Sequence, residues 1–258
     1  MPTLKQHGFS LVEALVAIAT GFLVVAGITQ IFSNTVSNSG DTLKLARVNQ
    51  DLRAAMDFMI RDIQRAGYWR NVVATSGAGP VQATNNVFTQ GVNDLQVGGG
   101  GTCLTYTYDV NYDTDVDNAD PNEMFAFFLR NNSIGRRKGG TATANDCNPA
   151  SWSPGSWEGI TDSDQVTITE LAFTITTHCL NVTDAKTGSS GVTSCRNDPD
   201  YNTASAITYA APDNNDVLVK VRDVTITITG HPINDSARSV RITDTVRVRN
   251  DAVCRAPC

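Results

Sequence analysis

The residues best placed to do chemistry lie in one acidic run. Asp109, Asn111, Asp113, Asp115, Asp117 and Asp120 put oxygen side chains at positions 1, 3, 5, 7, 9 and 12 of a twelve-residue loop. Calcium takes six to eight hard oxygen ligands, and this alternation points oxygens at one centre. The fit to a helix–loop–helix calcium loop is incomplete. Thr114 stands where the sharp turn needs glycine, Asp120 replaces a bidentate glutamate, and Glu123 comes three residues late. Both flanks also read as strands. A calcium site and a bare, solvated acidic hairpin are both open, and the mutual repulsion of five aspartates leans toward the ion.

Six cysteines, Cys103, Cys147, Cys179, Cys195, Cys254 and Cys258, form the second chemical set. None makes a C-x-x-C pair, so a zinc site is not indicated. An even count beyond an apolar N-terminal segment points to disulfides in an oxidising compartment. Proximity suggests Cys179 with Cys195 and Cys254 with Cys258, leaving Cys103 with Cys147, although the sequence does not choose among the pairings. Catalysis has little support, and we expect no enzyme. There is no G-x-S-x-G or H-E-x-x-H, and His7, His178 and His231 are isolated along the chain. Gly98–Gly101 lacks the Lys-Ser/Thr of a phosphate loop and reads as a turn.

The elements that would position these groups begin with an apolar run. Residues Phe9 to Phe32 are almost wholly apolar. As a helix at about 1.5 Å per residue they reach roughly 36 Å, enough to cross a hydrocarbon core of about 30 Å. The run starts directly after Gly8 and has no small-x-small exit site beyond it, unlike a secretory signal. Glu13 is the anomaly. A carboxylate in a spanning helix costs a few kcal/mol and calls for a partner. A chain cut after Gly8 would carry a new amine on Phe9, a cation one helical turn away.

Gly8-Phe9-Ser10-Leu11-Val12-Glu13, behind a short leader holding Lys5, resembles the class III signal of type IV pilins and pseudopilins. The resemblance implies that a prepilin peptidase cuts after Gly8, that the Phe9 amine is methylated, and that Glu13 docks each subunit against the one before it. Major pilins of that family often carry a proline near the position of Gln30, and this chain has none.

Beyond the polar stretch Ser33–Gly40, Leu45, Val48, Leu52, Met56, Met59 and Ile63 recur at helical spacing and predict a face packed on a core, with charged residues including Asp62 filling the rest. Gly67 predicts a left-handed helix stop. Together the two halves predict one helix of roughly 55 residues. Alternation then predicts strands over 102–108, 123–129, 133–137, 171–177, 224–228 and 240–248, with a turn at Asn131-Asn132 and a break at Gly230-His231-Pro232. One buried and one wet face is the mark of antiparallel sheet. The expected fold class is α+β, a long N-terminal helix packed on an antiparallel β-sheet head, pilin-like. The expected organisation is a leader over 1–8, a membrane or filament-core helix over 9–32, its amphipathic continuation over 33–67, and a globular head over 68–258.

Cys103–Asp109, Glu123–Arg130, Trp157–Asp162 and Val246–Asn250 together resemble PilW-type minor pilins, a group similar to the J-type minor pseudopilins of type II secretion. The resemblance implies an inner-membrane precursor with a periplasmic head, partnered by other minor pilins and the major pilin in a tip complex that primes pilus assembly. A minor pseudopilin and a tip-located binding module for a surface or DNA are the alternatives. The formal charge of −6, from 20 basic and 26 acidic residues, argues against nucleic acid unless Arg136-Arg137-Lys138 and the terminal arginines form a local patch.

Overall fold

The computed structural model describes residues 10–70, 86–111, 123–139, 156–181 and 216–255. The chain divides into two compact units, Met1–Arg47 and Val48–Cys258. Helix α1, Leu11–Ile63, is continuous over 53 residues and crosses the boundary between them. The polar stretch Ser33–Gly40 does not interrupt it. Thr29, Thr35, Ser39 and Thr42 each donate their hydroxyl to the carbonyl four residues back at 2.8–2.9 Å, so these side chains are satisfied by the helix itself.

In the first unit the helix exposes nearly everything it carries, including Leu11, Phe22, Leu23 and Phe32. In the second unit Val48, Leu52, Met56, Met59 and Ile63 are buried, as their spacing predicts, and Ala55 and Ala66 join them. Leu45, just before the boundary, is half-buried.

The strands form two antiparallel sheets, where the sequence reading foresaw a single one. The first runs β1 (Gln96–Gly98), β2 (Cys103–Thr107), β3 (Met124–Arg130), β4 (Ser133–Lys138) and β5 (Ser156–Gly159), in that spatial order. The second orders β6 (Val166–Asn181), β7 (Val217–Pro232) and β8 (Val240–Arg247), with β9 (Ala252–Arg255) also paired to β7. Both sheets face α1. Leu104, Tyr106, Phe125, Phe127 and Ile134 of the first sheet share one core with Leu171, Phe173, Val224, Ile226 and Ile228 of the second and with the helix stripe.

One expected turn forms and one expected break does not. Asn131 and Asn132 take φ of 49° and 60°, the left-handed pair that a two-residue hairpin needs, and Arg130 then pairs with Ser133. Gly230-His231-Pro232 does not break β7, which continues to Pro232 with Gly230 paired to Ile168 and Pro232 to Val166. Proline is tolerated there because it is the last residue of the strand, where one missing donor costs little. Gly230 relieves crowding against β6, since an added Cβ would stand 3.1 Å from the Thr167 carbonyl oxygen and 3.2 Å from Ile168 Cδ1.

Candidate functional site

Two regions stand out: the exposed apolar stretch of α1, and the polar joint between the last turns of α1 and the sheets, within the second unit. Glu13 lies in the first turn of α1 and is exposed. A carboxylate there is favoured by the helix dipole. Gly8 and Phe9 lie outside the described residues. The helix is long and apolar enough to cross a membrane.

The joint centres on Asp62, which is 7% exposed although the sequence reading left it on the polar side of the helix. Its carboxylate accepts from the Tyr106 hydroxyl at 2.7 Å, the Tyr108 hydroxyl at 3.2 Å and Arg136 Nε at 3.0 Å. The Arg136 guanidinium also pairs with it at 2.9 Å, while Arg65 lies further off at 3.8 Å and over the Tyr108 ring. Burial, reinforced by the Asp62 charge, holds Tyr106 well above the ordinary tyrosine range and pushes Tyr108 up to about 12. Burial is the largest single influence on Arg136 and disfavours the cation, but Asp62 together with Tyr106 and Tyr108 outweighs it and keeps that guanidinium more basic than usual. A signal for Asp62 was available: it sits three residues after Met59, on the register of the apolar stripe.

The helix exit is held by distant parts of the chain. Gly67 has φ of 73°, the left-handed stop that its position predicts, and its N–H donates to the Thr107 carbonyl at 2.8 Å. Asn250 Nδ2 donates to the carbonyls of Ala66 and Arg65 at 3.1 and 3.3 Å, and Asn86 Nδ2 donates to that of Gly67 at 2.9 Å. Beside them Arg222, almost fully buried, is ion-paired with Asp94 and donates to the Asn250 carbonyl at 2.6 Å. Arg222 shares the buried parity of β7 with Val224, Ile226 and Ile228, an arginine on an apolar face that the sequence reading passed over.

Arg136-Arg137-Lys138 does not form a basic patch. Arg136 turns to Asp62, Arg137 is buried with Nε donating to the Gly139 carbonyl at 2.6 Å, and Lys138 is exposed. Alternation along β4 sends the two arginines to opposite faces.

Of the acidic run, Asp109 and Asn111 are described, and Asp113, Asp115, Asp117 and Asp120 lie outside the described residues. Asp109 is buried and accepts from the Arg70 N–H at 3.1 Å. Glu123, across the loop, is fully buried and accepts from the Val110 N–H at 3.2 Å. Among the described residues, no three His, Cys, Asp or Glu side chains gather as a metal site would require. Cys103, Cys179 and Cys254 are each disulfide-bonded. Cys147, Cys195 and Cys258 lie outside the described residues, so the pairing does too. His178 is 3.9 Å from Asp223, and His231 is bonded to the adjacent Pro232 carbonyl at 2.8 Å.

A family described as prepilin peptidase-dependent protein B matches residues 41–248. The chain belongs to that family. No curated protein and no solved structure matches it. Membership in the prepilin peptidase-dependent protein B family makes this a pilin-related protein, and the α+β layout agrees. The match begins inside α1 and ends at Val248, taking in Asp62, Arg136 and Arg222. It does not include Gly8 to Glu13, so family membership and the N-terminal motif are separate indications of the same relationship.

Proposed function

We propose that the chain is a minor pilin of PilW type, a structural subunit rather than an enzyme. The prepilin peptidase cuts it after Gly8, and the Phe9–Phe32 segment holds it in the inner membrane with the head in the periplasm. It then joins other minor pilins and the major pilin in a tip complex that initiates the type IV pilus. The observation that carries this reading is the continuity of α1, whose first unit is exposed apolar surface and whose last turns belong to the core of the head. Exposed apolar surface on that scale needs a lipid or protein environment. The family name and the GFSLVE motif supply the rest. Within this reading the disulfides pair as Cys103–Cys147, Cys179–Cys195 and Cys254–Cys258, and the Asp109–Asp120 loop holds calcium.

Deletion of the gene tests the assignment. Surface pili should be lost or sharply reduced, and secretion of type II substrates should stay at the wild-type level. Normal piliation with failed secretion would overturn it in favour of a pseudopilin.

A further inference from the structure

The contacts between α1 and the head are divided by kind along the helix. From Val48 to Met59 the helix meets the sheets through apolar side chains. Among the described residues, every hydrogen bond or ion pair from the Val48–Gly67 segment to the rest of the head is made at Asp62 or later. The bonds at that end reach β2 through Tyr106 and Thr107, the residue after it through Tyr108, β4 through Arg136, and the segment after β8 through Arg249 and Asn250.

The two kinds of contact respond differently to displacement. Apolar contact has no direction, and a helix that slides along a greasy face exchanges one set of neighbours for another. A hydrogen bond is lost within a fraction of an ångström beyond its normal length and angle. A bond to a buried charge is costlier still to break, because the charge remains without its partner.

We propose that the Asp62 cluster is an end latch. A pull along α1 shears the helix against the head, the apolar turns yield gradually, and the helix stays in place until Tyr106, Tyr108 and Arg136 let go of the Asp62 carboxylate. The latch makes the junction brittle and strong at one end and compliant along the rest. Its use, to carry tension from the anchoring helix to the head, rests on the pilus reading above, whereas its existence does not.

Force-clamp measurements on the full chain in detergent test it. Azidophenylalanine at Gln50 and at Arg247, both exposed and at opposite ends of the helix–head contact, provides the handles. The measured quantity is the lifetime at constant force before the step that releases α1. Asp62→Asn should shorten that lifetime by roughly tenfold or more, the loss expected for a charge-assisted bond. Leu52→Ala removes a fully buried side chain from the apolar stretch and should shorten it less, despite lowering the melting temperature at least as much. Should Asp62→Asn fail to fold, Tyr106→Phe removes one bond while keeping the ring, and it too should shorten the lifetime more than Leu52→Ala does. Equal shortening by the polar and apolar variants, or an unchanged lifetime without the polar contact, would overturn the latch. Either result leaves the piliation test of the proposed function standing.

Discussion

The carboxylate of Asp62 and the guanidinium of Arg136 meet at 2.9 Å between α1 and β4, 74 residues apart in sequence. Neither charge could stay so buried alone, because taking an ion out of water costs several kcal/mol unless its partner and further hydrogen bonds replace the solvent. Tyr106 and Tyr108 supply those further bonds. Their rings lie stacked against Phe125, so the polar cluster is set inside an aromatic one.

Alkaline pH should loosen this joint. Tyr108 titrates at about 12 in the fold against an ordinary value near 10. The folded state therefore keeps a proton that the unfolded chain loses first. The corresponding stability is complete below pH about 10 and is lost as pH climbs through 12, a change of roughly 3 kcal/mol. The melting temperature of the full chain in detergent should fall steeply across that window, and Tyr108→Phe should flatten the fall. A slope unchanged by Tyr108→Phe would place the titrating group elsewhere.

Gly67→Ala should cost about 2–4 kcal/mol, combining left-handed strain with overpacking. An added Cβ would lie 2.7 Å from Thr89 Cγ2 and 3.2 Å from an Arg222 nitrogen. Adding Thr89→Ala should restore part of the lost melting temperature, because the two changes share one contact. Strict additivity of the pair would assign the whole cost to the backbone.

Processing gives a chemical readout. Mass spectrometry of assembled material should find N-methyl-Phe9 as the first residue, and Gly8→Ala should leave the uncut precursor in the inner membrane. Glu13→Val should still insert and be cut, since it removes a charge from an apolar helix, yet yield few or no pili. An intact Met1 in assembled pili would refute the cut after Gly8.

Calcium binding by the Asp109–Asp120 loop should appear as a thermal shift. An ion at a hundredfold excess over its Kd stabilises the folded state by about 2.7 kcal/mol, so millimolar calcium should raise the melting temperature over that in EDTA, with magnesium giving much less. Asp113→Asn combined with Asp115→Asn should remove the increment. Asp109 is a poor probe, because its buried carboxylate already accepts from the Arg70 N–H. Equal melting in calcium and EDTA would leave a bare acidic loop.

Periodicity exposed much of the helix and strand pattern in advance. The stripe from Val48 to Ile63, the Gly67 stop and the Asn131-Asn132 hairpin each depend on residue type within a few positions, and such information is local. The split into two sheets was not legible, because alternation says which face of a strand is buried and nothing about which strand lies beside it. Strands β1, β5 and β9 are too short for alternation to register, and Gly98 had been absorbed into a turn. Asp62 and Arg222 were hidden for another reason. Charged residues are assigned to the wet side by default; helical register alone marks Asp62 as inward-facing, but what satisfies it, and Arg222 likewise, becomes visible only when the distant partner is placed against it.

Asn250 completes the end of a helix that precedes it by 184 residues. A chain that emerges from its N-terminus first has therefore made all of α1 long before the group that satisfies its final carbonyls exists. The helix exit stays solvated, or borrows other donors, until the last strands have formed and brought Val248–Asn250 back to it. Closing so long a loop carries an entropic cost that local contacts avoid, so docking of the C-terminal segment is expected late in folding. Truncation just before Asn250 would then leave a helix still fastened through Asp62 but with the Ala66 carbonyl short of its side-chain donor.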